Sequence, residues 1–149
     1  MSKIVYIDMD NVLVDFPTGI DKLDAATQKE YEERLDEVPG IFSLMEPIPG
    51  AIEGYHAIAA VYDTYILSTA PWANPSAWSD KIEWVHQHLG FDGAAHKRLI
   101  LSHHKHLNMG DYLIDDREAN GADKFTGEWI RFGSDRYPNW TAVTKYLIQ

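Results

Sequence analysis

Five short apolar runs, rich in β-branched and aromatic side chains, recur along the chain, and each is followed by a polar residue or a glycine. They lie at residues 3–7, 64–67, 98–101, 111–114 and 129–132. Runs this short and continuous are typical of strands that are buried on both faces of a parallel sheet. The pattern therefore predicts five strands of one such sheet.

Helical patterns lie between these strands. Residues 51–61 follow a Pro-Ile-Pro-Gly break, and a further helical pattern covers residues 140–148. Between residues 76 and 89 an apolar stripe repeats at helical spacing and consists of Trp78, Ile82, Val85 and Leu89. Gly90 then supplies a stop signal. The alternation predicts one α/β domain over residues 1–149, with a doubly wound parallel sheet.

One segment, between the first strand and Pro47, is too long for a simple crossover helix. Residues 27–30, TQKE, have the pattern of a capping box, which predicts a helix from there to residue 38. The apolar face of this helix consists of Tyr31, Leu35 and Val38. We expect residues 17–45 to form a small helical cap insertion over the carboxyl edge of the sheet.

The formal net charge of −10 argues against a surface that binds a nucleic-acid polymer, because such surfaces are basic. A small anionic substrate is compatible with this charge, since a few lysines and arginines in one cleft can hold a phosphate. The chain has no cysteine, no apolar stretch approaching the roughly 20 residues of a membrane helix, and no room for a signal peptide before the first strand. We therefore expect a cytoplasmic protein without a membrane partner.

Side chains with oxygen atoms follow three of the predicted strands. They are Asp8 and Asp10, Ser68 and Thr69, and Asp115 and Asp116. A single aspartate at a strand end is commonly a turn former, but three strands that end this way are harder to explain as turns. Ligands of open α/β sheets bind outside the carboxyl ends of the strands. Four carboxylates at this edge repel one another unless a hard cation lies among them, so we predict a Mg²⁺ site, with Ca²⁺ as second choice.

The sequence DMDNVL at residues 8–13 resembles the first motif of the haloacid dehalogenase-like superfamily, D-x-D-x-(T/V)-(L/V). Thr69 resembles its second motif, and Asp115-Asp116 resembles its fourth. Other likenesses extend over nearly the whole chain and point to the 5′(3′)-deoxyribonucleotidases: VDF at 14–16, EPIPG at 46–50, Lys81 with Trp84-Val85, and LIDDR at 113–117. The resemblance implies a HAD-like Rossmannoid α/β fold and phosphatase activity.

The resemblance also implies a division of roles among the aspartates. Asp8 would attack phosphorus to give an aspartyl-phosphate, and Asp10 would protonate the leaving oxygen and later activate water. Mg²⁺ would be bound by Asp8, by the backbone carbonyl of Asp10 and by Asp115. Asp116 would be a further ligand through water.

The phosphate contacts implied by the family are a hydroxyl residue and a lysine. Thr69 would donate a hydrogen bond to the phosphate, with Ser68 as the alternative if the register differs by one residue. Ala70 follows, where the family often has a second hydroxyl. We choose Lys81 as the lysine of the third motif, because it flanks the predicted apolar stripe of its helix. Lys105, shortly before the fourth motif, is the alternative.

Recognition of the substrate is assigned to aromatic residues outside the motifs. Phe16, Phe42 and Trp72 could line an apolar slot in which a base stacks, or they could be ordinary packing. Arg117 would bind the substrate or hold the aspartate pair of the fourth motif in place. The substrates implied are nucleoside monophosphates, with deoxyribonucleoside 5′- or 3′-monophosphates favoured, and the alternative is another small phosphorylated metabolite.

A phospho-receiver signalling module is a hypothesis from another class, because such domains also surround Mg²⁺ with aspartates, a hydroxyl residue and a lysine. Receivers carry their acidic pair after the first strand and their phosphoacceptor after the third, whereas here the pair comes late, at residues 115–116. Receivers also lack a helical insertion after the first strand. Both differences favour the phosphatase.

Overall fold

Residues 2–149 are described by a computed structural model, and their main element is a five-stranded parallel sheet. The strands, in chain order, are β1 (Ile4–Ile7), β2 (Val14–Asp15), β3 (Glu46–Pro47), β4 (Asp63–Ser68), β5 (Leu99–Leu101), β6 (Tyr112–Asp115) and β7 (Glu128–Arg131). β2 and β3 form a separate antiparallel pair, and the other five lie in the order β5-β4-β1-β6-β7. All five predicted runs are strands of this sheet, and no strand end differs from its prediction by more than one residue.

The order of the strands determines where the candidate site lies. β1 is central, with β4 and β6 as its parallel neighbours. The chain first builds outward through β4 to β5 and then returns to the other side of β1 through β6 and β7. Such a reversal opens a crevice beyond the carboxyl ends of the central strands. Asp8, Thr69 and Asp115 meet at this edge, and the predicted doubly wound α/β fold is confirmed.

Among the residues described, five α-helices accompany the strands. They are α1 (Phe16–Asp21), α2 (Ala25–Glu30), α3 (Ala51–Ala59), α4 (Pro75–Leu89) and α5 (Trp140–Ile148). The three longer helices agree with the predicted ones, and Gly90, with φ +87°, ends α4. Within residues 2–149, no helix is both long and apolar enough to span a membrane.

The buried face of α4 differs from the predicted apolar stripe. It consists of Ala77, Lys81, Trp84, Val85 and Leu89. Ile82 is 37 % exposed, so the buried face is rotated and Lys81 lies within it instead of on its flank. A lysine is tolerated at this position because its ammonium group has polar partners inside the protein.

The predicted helix from residue 27 to residue 38 is wrong. Asp24 is the N-cap of α2, since its carboxylate accepts the N–H of Thr27 at 2.7 Å, and this contact replaces the predicted capping box. The helix ends at Glu30. Glutamates crowd this end, at positions 30, 32 and 33. Acidic side chains near the carboxyl terminus of a helix are unfavourable, and those at positions 32 and 33 disfavour its continuation.

Beyond α2, the insertion continues as two short 3₁₀ turns, Leu35–Glu37 and Ile41–Leu44. Side chains of α4 and of the loop before it attach this stretch to the domain. The Asn74 amide donates to the Val38 carbonyl at 3.1 Å, and the Trp84 indole donates to the Met45 carbonyl at 3.0 Å. The role of residues 17–45 as a cap stays a prediction.

Trp140 connects α5 to the loop that follows β1. Its indole N–H donates to the Val12 carbonyl at 2.8 Å, and the residue is buried. Gly54 of α3 makes room for the indole, because a Cβ at this position would lie 2.5 Å from Cε3 of Trp140. The packing of α3 on α5 therefore supports the loop that carries Asp8 and Asp10.

Gly54→Ala should destabilise the fold by about 1–3 kcal/mol, because the added methyl group overpacks the indole. This loss should outweigh the gain of about 0.5–1 kcal/mol from replacing a helical glycine. Urea unfolding followed by far-ultraviolet circular dichroism measures the free energy of unfolding. The double variant Gly54→Ala/Trp140→Phe should lose less than the sum of the two single variants. Strictly additive losses would contradict the proposed contact.

Candidate active site

The loop after β1 holds Asp8 and Asp10 in a tight, buried turn. The Asp8 N–H donates to the Ile114 carbonyl at 2.9 Å, which continues the pairing of β1 with β6. The Met9 carbonyl accepts three N–H groups at 2.9–3.1 Å, those of Val12, Leu13 and Val14. Asn11 adopts the left-handed conformation, with φ +62°, that this reversal requires. The two carboxylates are therefore carried by a backbone with little freedom.

Lys105 lies between the carboxylates of two neighbouring strands. Its Nζ donates to Asp8 Oδ1 at 3.0 Å and to Asp115 Oδ2 at 2.6 Å, and all three side chains are buried. The cleft above them is lined by Asp8, Asp10, Thr69, Lys105, Asp115, Arg117, Ala119 and Asn120. A positive charge thus lies beside two carboxylates in a cleft that opens at the carboxyl edge of the sheet.

Three carboxylates at the base of this cleft lie close to one another. Asp8, Asp115 and Asp116 each offer an oxygen, and these oxygens lie within 4.8 Å of one another. Burial raises the pKa of the Asp8 carboxyl to about 7, with Asp115 and Asp10 adding to the rise and Lys105 opposing it. Burial and the Asp8 charge raise the pKa of Asp116 to about 6. The cluster therefore holds more negative charge than Lys105 compensates.

The donor set of this cluster fits a hard divalent cation. Asp116 Oδ1 is buried and has no hydrogen-bond partner within residues 2–149. Burial also raises the pKa of Asp115, although Lys105 opposes the shift. Carboxylate oxygens in close contact, one of them unsatisfied, are the ligands that Mg²⁺ and Ca²⁺ prefer. Three of the four predicted carboxylates form this cluster, with Asp116 as a direct member, and the Asp10 carboxylate lies outside it.

Lys105 is positioned by the loop that follows β6. It begins the 3₁₀ turn Lys105–Leu107, and its N–H donates to the Asn120 carbonyl at 2.7 Å. Gly121, with φ +84°, lies against His106, because a Cβ there would be 2.3 Å from His106 Nδ1. Ala119 and Asn120 of this loop also line the cleft, although no sequence pattern assigned them to it. The Asn-Gly pair is a turn signal, which predicts a loop at this place but not its function.

Lys81 lies behind the cleft instead of in its wall. Its Nζ donates to Asp10 Oδ1 at 3.0 Å and to Ser68 Oγ at 2.8 Å, and the residue has no exposed surface. The ammonium group also lies 4.4 Å from the centroid of the Phe42 ring. Of the two candidate lysines, only Lys105 lines the cleft. A phosphate contact by either lysine stays a prediction.

Thr69, and not Ser68, borders the cleft at the end of β4. The Thr69 hydroxyl donates to the Ser102 carbonyl at 2.7 Å. Ser68 is fully buried and faces Lys81, as expected for neighbouring residues that point to opposite sides of a strand. The phosphate contact of Thr69 stays a prediction. The strand register directs Thr69, and not Ser68, toward the cleft.

The structure does not bring the three predicted aromatic residues together. The rings of Phe16 and Phe42 are 5.7 Å apart, but Phe42 is buried against Lys81. Trp72 is 84 % exposed and packs beside His103, with the ring centroids 6.0 Å apart. Arg117 lies with Phe16 in a groove that adjoins Asp10. The stacking slot stays a prediction, and Phe16 is the aromatic residue best placed for it.

The fold has a counterpart among solved structures, a haloacid dehalogenase-like family hydrolase from Xanthomonas campestris. The two superpose with a TM-score of 0.59 at 12 % sequence identity, over 98 % of this chain and 94 % of the other. The likeness shows the fold alone. The chain therefore has the haloacid dehalogenase-like fold, as the sequence motifs implied.

The particular family follows from sequence comparison. Residues 33–143 match the family model described as 5′ nucleotidase, deoxy (Pyrimidine), cytosolic type C protein. The chain is 58 % identical over 144 residues to the "Putative 5′(3′)-deoxyribonucleotidase" of Vibrio phage KVP40, covering 97 % of this chain and 84 % of that protein. It is 29 % identical over 154 residues to the human 5′(3′)-deoxyribonucleotidase, cytosolic type, covering 84 % and 76 % respectively. The chain belongs to this nucleotidase family and is a phosphoric monoester hydrolase.

Proposed function

We propose that the protein is a Mg²⁺-dependent phosphatase that hydrolyses deoxyribonucleoside 5′- or 3′-monophosphates through an aspartyl-phosphate on Asp8. The observation that carries this proposal is the contact of Lys105 with both Asp8 and Asp115 in the cleft. The ammonium group places positive charge beside the carboxylate that would attack an incoming phosphate. The names of the phage and human relatives support the substrate class.

In the first step, Asp8 attacks phosphorus. A bond forms between a carboxylate oxygen of Asp8 and phosphorus, while the bond from phosphorus to the ester oxygen breaks. Asp10 donates a proton to the ester oxygen, which leaves as a nucleoside hydroxyl. The contacts support this division of roles, since Asp8 pairs with Lys105 and Asp10 pairs with Lys81.

In the second step, water cleaves the aspartyl-phosphate. Asp10, now a carboxylate, accepts a proton from the water molecule. The water oxygen bonds to phosphorus, the bond between phosphorus and Asp8 breaks, and inorganic phosphate leaves. Both aspartates return to their starting states, so Asp10 serves first as acid and then as base.

Asp8, Asp115 and Asp116, together with the backbone carbonyl of Asp10, would hold Mg²⁺. When bound, the ion supplies positive charge that offsets the repulsion between a phosphate and these carboxylates. The raised pKa values of Asp8 and Asp116 and the unpaired Asp116 Oδ1 support a cation site here. The same residues would otherwise bear uncompensated charge.

Thr69 and Lys105 are the proposed phosphate contacts, because both line the cleft. Lys105 takes the role for which the sequence favoured Lys81. The nucleoside would extend into the adjoining groove, which is lined in part by Phe16 and Arg117. The human relative is named as a cytosolic type, and the chain has no cysteine, so we assign the enzyme to the cytoplasm.

A substrate panel with and without Mg²⁺ tests the proposal. We expect the highest kcat/KM for deoxyribonucleoside monophosphates, lower values for ribonucleotides and sugar phosphates, and loss of activity after treatment with EDTA that added Mg²⁺ restores. Phosphate release is measured, with Asp8→Asn protein prepared in parallel to exclude a contaminating phosphatase. Turnover of sugar phosphates alone would contradict the nucleotide substrate. Full activity in EDTA would contradict the metal.

A further inference from the structure

We propose that Lys81 positions Asp10, holding one oxygen of its carboxylate so that the other can exchange protons with the reacting oxygens. Lys81 acts through Asp10 and makes no contact with the phosphate. The inference rests on the proposed function, because the acid and base roles of Asp10 belong to it. It assigns a role to a fully buried lysine outside the wall of the cleft.

The surroundings of Lys81 Nζ leave no donor for a phosphate. One N–H is directed to Asp10 Oδ1 at 3.0 Å, and a second to Ser68 Oγ at 2.8 Å. The ring of Phe42 covers the ammonium group, with 4.4 Å between Nζ and the ring centroid, which is the geometry of a cation–π contact. An ammonium group has three donors, and the Asp10 carboxylate, the Ser68 hydroxyl and the Phe42 ring occupy its surroundings.

Asp10 is held at one oxygen only. Its Oδ1 accepts from Lys81, whereas its Oδ2 makes no hydrogen bond to another part of residues 2–149. The Asp10 side chain is 23 % exposed and lines both the cleft and the adjoining groove. The ion pair thus fixes the direction of the carboxylate and keeps Oδ2 available to the reacting oxygens.

The protein maintains this arrangement at a cost. Burying an ammonium group is unfavourable unless it is paired and hydrogen-bonded, and apolar residues of similar size could fill the same volume. Lys81 nevertheless occupies the buried face of α4, and α4 is attached to the insertion by the hydrogen bond from Trp84 to the Met45 carbonyl. Phe42 of the insertion completes the site around Nζ.

Positioning of a general acid and binding of phosphate predict different kinetic defects. A lysine that binds the phosphate stabilises every substrate alike, because all of them share this group. A lysine that positions the general acid matters only when the leaving atom needs a proton. When a nucleoside 5′-monophosphate is cleaved, the nucleoside leaves through a basic oxygen that needs a proton. When the bridging atom is sulfur, the nucleoside leaves as a thiolate that needs no proton.

The test compares Lys81→Met with wild-type protein on deoxyuridine 5′-monophosphate and on its bridging 5′-sulfur analogue. We expect kcat/KM to fall roughly 10²-fold for the oxygen substrate, a loss typical of a misplaced catalytic group, and to fall less than about 3-fold for the sulfur analogue. Arg98→Met is the control, because Arg98 pairs with Asp63 at the opposite end of the sheet. It should change neither value by more than about 3-fold.

Equal losses on the two substrates would overturn the inference and assign Lys81 to the phosphate. Unchanged values on both would overturn it as well. If Lys81→Met does not fold, Ser68→Ala decides the question, since it removes the second partner of Nζ and keeps the lysine. The inference requires a loss confined to the oxygen substrate, and any other pattern contradicts it.

Failure of the proposed function would be recognised separately, from the wild-type protein alone. If that protein hydrolyses no nucleotide, the nucleotide assignment fails. The same comparison is then made between the alkyl phosphate that it does hydrolyse and p-nitrophenyl phosphate, whose leaving group needs no proton. A loss confined to the alkyl phosphate still supports the role of Lys81.

Discussion

Asp8→Asn should lower kcat for every phosphate ester by at least about 10⁴-fold, a loss in the range seen when a nucleophile is removed from an enzyme with a covalent intermediate. An amide oxygen is a poor nucleophile toward phosphorus. Within residues 2–149, Asp115 is the one other carboxylate that lines the cleft and contacts Lys105. A radiolabelled phosphate substrate, quenched with acid, should label wild-type protein and leave Asp8→Asn unlabelled.

The same substitution should stabilise the metal-free fold. Burial raises the pKa of Asp8 to about 7 in the folded protein, whereas an unfolded aspartate has a pKa of about 3.9. The charged carboxylate therefore destabilises the wild-type fold by about 2–4 kcal/mol above pH 7, and this penalty fades as the pH falls toward 4. Asp8→Asn should be the more stable protein at pH 8, with a difference that disappears near pH 4.

Denaturant unfolding at pH 8 and pH 4, with and without Mg²⁺, measures this effect. Asp111→Asn is the matched control, since Asp111 accepts the Ile4 N–H at the far end of the sheet. Its kcat should stay within about 3-fold of wild type. Substantial turnover by Asp8→Asn would contradict a mechanism with an aspartyl-phosphate on Asp8. Destabilisation of Asp8→Asn at pH 8 would contradict the repulsion among the carboxylates.

The sheet and its carboxyl edge were predictable because their signals are local. Each strand is a continuous apolar run, and alternation with helices requires a parallel sheet. Parallel strands bring their carboxyl ends to one edge, so Asp8 and Asp115 had to lie close to one another once β1 and β6 were neighbours. The roles of these aspartates came from the family motifs, and not from the physics of the sheet.

The choice between Lys81 and Lys105 depends on tertiary structure. The apolar pattern of α4 placed Lys81 on the flank of the buried face, yet Asp10 and Ser68 supply partners that allow it to lie within that face. Lys105 lies on a 3₁₀ turn with no periodic signal, and its place depends on a hydrogen bond to the Asn120 carbonyl. A long side chain can reach different partners, and only the packed structure shows which.

The insertion shows the same limit at the level of a helix. Asp24 and Thr27 are both residue types that are common at N-caps. In the structure Asp24 is the N-cap, because its carboxylate accepts the Thr27 N–H. The structure separates Trp72 from the other two residues of the predicted stacking slot for a related reason. Trp72 follows β4 in the sequence, but its ring is turned to His103 and solvent. Chain proximity to a motif does not determine which way an aromatic ring points.

Lys105→Met should lower kcat/KM roughly 10²- to 10³-fold, because it removes a cation from the place where charge develops on the phosphate. The loss should be equal for deoxyuridine 5′-monophosphate and its bridging sulfur analogue, since both carry the same phosphate group. Lys81→Met is expected to separate these two substrates. The pair of variants therefore distinguishes a lysine that acts on the phosphate from one that acts on Asp10.

Lys105→Met should also lower the free energy of unfolding. The substitution leaves the buried carboxylates of Asp8 and Asp115 without their shared cation, and breaking a buried ion pair in this way costs about 3–5 kcal/mol. The loss should be largest at pH 8 without metal and smaller with Mg²⁺, which restores positive charge among the same oxygens. Lys124→Met, a change at an exposed lysine, is the control. Since a bound ion and the Lys105 ammonium group would neutralise the same carboxylates, a loss of stability that Mg²⁺ leaves unchanged would contradict a metal site at Asp8 and Asp115.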